Sequence, residues 1–257
     1  MVSKMLTKSV VASRIVAADG AYSRVRALVD PQHGNGRSPW YAARCYVEQA
    51  ETRALWVGFD PDLLPGYWWI FPIGNDRANL GFCVPRSRGQ NGKALRQISD
   101  GLIDRASIRA ALGDKARISP AGPMPAWPIP SGGAIAKCSV PGALFVGDAA
   151  GLADTLTGEG IGQALVSGRL AAEAILHGGL VERRYREHLK VDLGPDLAAA
   201  RQLQPLLARP VIANAVLRMA DANLWTRRHF GKWMWEAIPR GIYRTPRRWN
   251  RVSSSRT

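Results

Sequence analysis

Residues Ala143 to Ile175 read ALFVGDAAGLADTLTGEGIGQALVSGRLAAEAI. Ala143 to Val146 is a short apolar run that predicts a buried strand. It meets Gly147-Asp148, where the chain must turn tightly. Ala149, Ala150 and Gly151 follow and leave the backbone open to a close ligand. Gly158-Glu159-Gly160 then opens a helix predicted over Thr157 to Leu176, with Ile161, Leu165, Gly168, Ala172 and Ile175 on one face. The first N–H groups of such a helix are unpaired and carry the positive end of its dipole, which suits an anion. Asp148, at the strand's C-terminal end, can accept hydrogen bonds from a hydroxyl chain. Glycine content alone favours a plain strand–loop–helix whose glycines merely aid packing.

Working outward, Val10 to Ala18 is an apolar run ending at Asp19-Gly20, read as a buried strand and turn. Ser23 can cap the helix that follows. Asp30 to Pro39 reads as a linker. Between Trp40 and Val84, runs rich in Trp, Tyr, Phe and Val (Trp40–Val47, Ala54–Phe59, Tyr67–Phe71 and Ala78–Val84) are separated by turn residues, which predicts an antiparallel sheet. Lys93 to Leu112 has helical spacing. Pro120 to Pro130 is extended, because five prolines exclude a helix. From Glu182 on, helices are predicted with breaks at Gly194-Pro195, Pro205 and Pro210, and Ile212, Val216 and Met219 share a stripe.

The stretch from Val10 to Ile175 resembles the geranylgeranyl reductase family of flavoproteins and its flavin hydroxylase relatives. Three motifs carry the resemblance. One is GDAAG followed by TGEGI at a helix start and SGRLAAEAI along it. Another is Ala18-Asp19-Gly20-Ala21-Tyr22-Ser23-Arg24-Val25-Arg26, similar to ADGxxSxxR. The third is Tyr67-Trp68-Trp69-Ile70-Phe71-Pro72 with Gly81 downstream, similar to YxWxFP…GxG. Two positions depart from the pattern: Thr155 stands where the family usually has proline, and Cys83 replaces the second glycine of GxG. The related flavin halogenases carry a WxWxIP strand, from which Tyr67 and Phe71 differ.

The resemblance implies an α/β (α+β) chain: an incomplete glutathione-reductase-like FAD-binding fold, with an antiparallel-sheet substrate domain and C-terminal helices. The implied divisions are 1–34 and 140–181 for the FAD-binding fragments, 35–139 for the substrate sheet and 182–257 for a basic helical region. FAD is the implied cofactor, held by Asp19, Gly20, Ser23, Arg26, Gly147, Asp148, Gly158, Gly160 and Ile161, with Arg26 adding positive charge near the pyrophosphate. Asp148 is implied to matter more to flavin than Asp154. Tyr67, Trp69, Phe71, Pro72 and Gly81 are implied to line the path of a hydrophobic polyprenyl substrate. As residues alone, the three aromatics fit a core strand as well. The implied reaction is reduction of polyprenyl C=C bonds; a flavin monooxygenase and a non-catalytic, membrane-binding chain are the other classes. No residue is identified as the proton donor.

The dinucleotide-binding GxGxxG turn of such flavoproteins is not in the sequence. A βαβ unit carrying one needs about 30 residues, whereas Asp19 is preceded by only 18. The expectation is that the chain starts part-way through a family member, as a truncated or misread gene product or one piece of a split protein whose adenine-gripping unit is on a separate chain, and that the strands ending at Asp19 and Gly147 have unpaired apolar edges without that unit.

Three scattered cysteines, Cys45, Cys83 and Cys138, point to reduced thiols and a cytoplasmic place. No His/Cys spacing suggests a metal site, and no apolar run is long enough to span a bilayer. Of the net charge of +15, the 36 residues from Ala222 carry nine Lys/Arg against Glu236, with Trp225, Trp233, Trp235 and Trp249 among them. Basic residues interleaved with indoles suit the inner, anionic face of a membrane as a peripheral partner. A solvated tail is an equal reading. No recognition motif points to nucleic acid.

Overall fold

Alternating side chains between Trp40 and Pro85 build the larger of two sheets. The computed structural model describes residues 11–32, 38–87, 92–119 and 124–234. In chain order the elements are β1 (Ile15–Ala17), α1 (Arg24–Val29), β2 (Trp40–Glu48), β3 (Trp56–Gly58), β4 (Tyr67–Gly74), β5 (Arg77–Pro85), α2 (Gly92–Leu102), α3 (Ala106–Leu112), β6 (Arg117–Ser119), β7 (Ala126–Ile129), β8 (Ser139–Val140), β9 (Ala143–Phe145), α4 (Ile161–His177), α5 (Val181–Asp192), α6 (Gly194–Leu207), α7 (Pro210–Ala220) and α8 (Leu224–Met234).

The large sheet runs β3-β4-β5-β2-β6, with β7 also on β2, and its pairs are antiparallel as expected. Along β4, Trp68 and Ile70 join Leu80, Phe82 and Val84 in a core covered by Leu95, Leu102, Ile108 and Leu112 of α2 and α3. Each such side chain contributes roughly 1.5–3 kcal/mol by leaving water. The opposite face carries Tyr67, Trp69 and Trp40. The small sheet is β1-β9-β8, with β1 parallel to β9. Leu144 and Phe145 pack on Leu170 and Ala174 of α4 and on Tyr185 of α5. The Tyr185 hydroxyl donates to the Phe145 carbonyl at 2.7 Å, so this buried phenol is satisfied.

Several expectations are revised. The strand expected over Val10–Ala18 is three residues long, and of these Ala17 alone is buried. β1 pairs only with β9 among the described residues, so Ile15 and Val16 stay exposed. The stripe Ile161–Leu165–Gly168 of α4 likewise faces outward, with Ile161 81% and Leu165 71% exposed; the buried side is Gln163, Ser167, Leu170, Ala171 and Ala174. The 93–112 helix is two, divided at Arg105, which is extended and holds Asp62 through bonds of 2.6 and 3.0 Å. Pro205 does not break α6. It sits in the last turn, where its missing N–H forfeits a single helical bond just before the helix ends. The 212–216–219 stripe is not a buried seam, since Met219 is exposed. Pro120 and Pro123 lie outside the described residues.

Candidate functional site

Because β1 and β9 are parallel and paired Ala17 to Phe145, their C-terminal ends open side by side. In open α/β sheets that is where ligands settle. A cleft of about 550 Å³ lies there, lined by Gly20 from the first turn, Gly147 and Asp148 from the second, and Gly158, Gly160 and Ile161 from the start of α4. Six of the nine residues expected at a flavin therefore converge on one cleft. Gly147 has φ +52°, and a Cβ there would stand 2.9 Å from the Ala164 Cβ. A Cβ on Gly160, which precedes α4, would stand 2.9 Å from Asp148 Oδ1. The bare backbone thus lets the carboxylate lie against the helix N-terminus.

The Asp148 carboxylate has no hydrogen-bond partner among the described residues, while its backbone carbonyl accepts from the Gly151 N–H at 3.0 Å. Asp148 is half-buried, and that burial pushes its carboxyl above the ordinary range. A desolvated acceptor with open lone pairs, beside the positive end of the α4 dipole, suits a ligand that brings both hydroxyls and negative charge. This observation tests the fit of a flavin nucleotide, whose ribityl and phosphate groups supply both, and the residues fit.

Asp19, Ser23 and Arg26 stand behind the cleft. The Ser23 hydroxyl caps α1, accepting from the Arg26 N–H at 3.0 Å and donating to Asp19 Oδ1 at 2.5 Å. Burial pulls the Asp19 carboxyl up, but this bond and the Val25 N–H at 3.0 Å outweigh it and hold it below the usual value. Arg26 is buried. Its guanidinium donates to the Ala149 carbonyl at 2.8 Å and the Lys137 carbonyl at 3.1 Å, over the Phe145 ring. Its charge is used to tie the first turn to the second, a role the sequence reading did not assign.

Asp154 has a structural role that the sequence reading did not assign. Its carboxylate is 1% exposed, and Oδ1 accepts from the N–H groups of Leu156 (2.9 Å) and Thr157 (2.8 Å) and from the Thr157 hydroxyl (3.0 Å). The Asp154 carbonyl accepts from Gly158 N–H at 2.9 Å. One residue therefore shapes the loop that delivers Gly158 and Gly160. The pattern Asp154-Thr155-Leu156-Thr157, an acid followed by a hydroxyl three on, is the turn signal that identifies it.

Tyr67, Trp69 and Phe71 do share one face, as the two-residue period requires. Tyr67 and Trp69 have ring centroids 5.9 Å apart, and Trp69 and Phe71 are stacked at 6.2 Å and 28°. Gly81 is directly opposite Trp69, and a Cβ there would meet the indole at 2.2 Å, so this glycine is where the ring lies. The three are not equivalent. Phe71 lines a groove of about 880 Å³ between β3–β4 and α7–α8, together with Val57, Phe59, Leu217 and Phe230. Trp69 is half-buried and donates to Asn79 Oδ1 at 3.0 Å. Tyr67 is buried, and its hydroxyl donates to the Thr157 carbonyl in the loop before α4. Burial, then the neighbouring Cys83, Glu159 and Asp154, push its ionisation well above the ordinary value. Pro72 is half-buried, opposite Ala78 on β5. The cluster around Tyr67 includes Ile129, which lines the cleft, and Phe59, which lines the groove. The aromatic face therefore joins the two. Tyr67→Phe removes the donor to Thr157 and is expected to cost about 1–2 kcal/mol, read as a lower melting temperature.

Comparisons with known proteins agree with the reading. No protein-family model matches the chain. A digeranylgeranylglycerophospholipid reductase 1 of Methanopyrus kandleri is 28% identical over 208 residues, 75% of this chain and 52% of its own length. A menaquinone reductase of Mycobacterium tuberculosis is 31% identical over 206 residues, 77% of this chain and 49% of its own length. The chain thus spans about half the length of the curated relatives it matches. Among solved structures, a geranylgeranyl bacteriochlorophyll reductase-like protein of Thermoplasma acidophilum superposes with TM-score 0.66 at 20% identity, covering 82% of this chain and 55% of that one. A flavin-dependent brominase superposes with TM-score 0.54 at 16% identity, covering 82% and 56%. The resemblance to geranylgeranyl reductases is borne out, and so is the mixed α and β fold with its antiparallel sheet and C-terminal helices.

Proposed function

We propose that the chain is the flavin-contacting and substrate-binding portion of an FAD-dependent oxidoreductase that saturates C=C bonds in a polyprenyl chain. The observation that carries the reading is the half-buried, unpartnered Asp148 carboxylate at the N-terminus of α4, in a cleft joined by an aromatic face to an apolar groove. Asp148 would accept from ribityl hydroxyls, and Gly147, Gly158 and Gly160 would leave bare backbone for the cofactor. The dipole of α4, whose start lines the cleft, would favour an anionic reduced flavin by roughly 0.3–1 kcal/mol.

Reduced FAD, when bound, supplies hydride to one alkene carbon while a proton is added to the other. The protein's part is placement. Trp69 and Phe71 hold an apolar chain flat against the sheet, Phe59 and Val57 continue the wall, and the low polarity keeps water out. The Tyr67 hydroxyl, committed to Thr157, serves the loop rather than the proton. The adenine half of FAD is gripped by a unit outside these 257 residues, preceding them or on a separate chain. The exposed edge of β1 and the outward stripe of α4 are the surfaces it would meet. The 257-residue chain alone is therefore expected to hold flavin weakly, and supplying that unit should give a yellow protein. Basic residues and indoles of the C-terminal region fit peripheral contact with a membrane, the source of such a substrate.

Trp69→Phe tests the substrate path. The shorter ring frees space over Gly81 while leaving the cleft intact. The expected result is a changed preference for prenyl length or for the number of bonds reduced, at unchanged flavin affinity. A lower melting temperature with an unchanged product pattern would make Trp69 a core residue only. Oxygen insertion into another substrate in air, with no saturated prenyl product, would replace this reading by a monooxygenase.

A further inference from the structure

The described part of the basic C-terminal region has a specific geometry that composition alone does not reveal. α7 and α8 are joined at Asp221–Asn223, and this corner edges the large groove: Leu217, Arg218 and Ala220 line it from α7, Asp221 from the joint, and Arg227, Phe230 and Gly231 from α8. Also lining it are Trp56 of β3 and Leu55 just before that strand, both exposed. The corner's own outward residues are large and apolar. Leu224 is 69% and Trp225 67% exposed, and Met219, between two lining residues, is also exposed. Globular surfaces scatter such side chains singly; here Leu55 and Trp56 line the groove, and Met219, Leu224 and Trp225 belong to the two helices that edge it.

Charge decides among occupants. From Arg218 to Met234 there are four basic residues (Arg218, Arg227, Arg228 and Lys232) against Asp221. Asp221 is engaged by Arg227 at 2.6 Å, which leaves a net positive rim beside the apolar cluster. An apolar tip within a basic collar is complementary to an anionic bilayer: Leu and Trp enter the headgroup region while Arg and Lys meet the phosphates. A second copy of the chain would bring the same positive collar and be repelled.

We propose that the α7–α8 corner docks on an anionic membrane surface and presents the mouth of the groove to it, so that an apolar chain passes from the bilayer to the aromatic face without crossing water. The passage rests on the proposed substrate class; the docking does not, and it is tested without flavin or substrate. The test is flotation of the full chain with vesicles of neutral phosphatidylcholine, alone or with about a third phosphatidylglycerol. Binding is expected to the anionic vesicles and to weaken steeply with salt. Arg228→Gln and Lys232→Gln should each lower it about 5-fold, the equivalent of roughly 1 kcal/mol per charge at such a surface. Leu224→Ser with Trp225→Ser should lower it at least as much, and Trp225→Phe should restore most of it. All four residues are exposed, so folding is retained, and unchanged circular dichroism verifies this. Absence of binding to anionic vesicles overturns the proposal. Undiminished binding by these variants overturns it too, assigning contact to residues 235–257. Loss of a concentration-dependent dimer in the serine variant, with vesicle binding unchanged, would make the corner a subunit interface instead. Vesicle binding together with failure of prenyl reduction leaves the docking standing and removes the substrate reading.

Discussion

Asp154→Ala is expected to destabilise the protein by about 3–5 kcal/mol. Oδ1 accepts three hydrogen bonds in a loop where Leu156 and Thr157 are themselves buried. Alanine removes the acceptor and leaves two backbone N–H groups and a hydroxyl without partners. Each buried orphan costs about 1–3 kcal/mol, and the total is less than the sum because the loop relaxes. For a chain of this size the melting temperature should fall by roughly 10 °C. Asp154→Asn is the control. The three bonds described go to one oxygen, which an amide can supply, so the loss should be clearly smaller than for alanine. Equal losses for the two variants would mean that charge, rather than the acceptor's position, holds the loop. The effect reaches the cleft, because this loop delivers Gly158 and Gly160. Asp154→Ala should therefore weaken flavin as well, by way of the loop and by less than loss of Asp148 does.

Asp148→Asn should move stability and binding in opposite directions. Burial raises the folded-state pKa of Asp148, so the protonated form is favoured in the folded protein and the charged form is penalised. The sign follows from linkage. The penalty is absent well below the carboxylate range, where the group is protonated folded and unfolded, and it grows as pH rises through the unfolded and then the folded pKa. At neutral pH the neutral amide escapes it, so the flavin-free variant should melt higher than the parent. The gap should close as pH falls into the carboxylate range. With the adenine-gripping unit supplied, the same variant should bind FAD more weakly by about 1.5–3 kcal/mol, roughly 10- to 150-fold, through loss of charge-assisted bonds to ribityl hydroxyls. A residue that merely packs would lose stability without this trade.

What the sequence made legible follows from which signals are local. The strands of the large sheet were readable because their period of two is written in Trp, Tyr and Phe, and β4 displays its aromatics on the expected face. The cleft was readable because glycines at turns leave a recognisable spacing, and Gly20, Gly147, Gly158 and Gly160 do meet. Exposure was not readable. The stripe of α4 containing Ile161 and Leu165 has the composition of a core face, yet it is open among the described residues, because burial depends on which other element arrives. The partners of Arg26 were not readable for a related reason. A guanidinium beside a ligand turn suggests an anion, and only the fold shows that it also binds two distant carbonyls, those of Ala149 and Lys137. Tyr67 is the same case: its phenol is directed by Thr157, ninety residues away in sequence.

The central claim is that this cleft and this aromatic face together reduce prenyl double bonds. It is tested most directly by anaerobic turnover. The chain, joined to an adenine-gripping unit and loaded with chemically reduced FAD, is incubated with a geranylgeranyl lipid, and the product is read by mass spectrometry. The account predicts a mass gain of two hydrogens per reduced bond, which Asp148→Asn diminishes at limiting FAD. Flavin that binds stoichiometrically and stays reduced, with every prenyl bond intact, would contradict it.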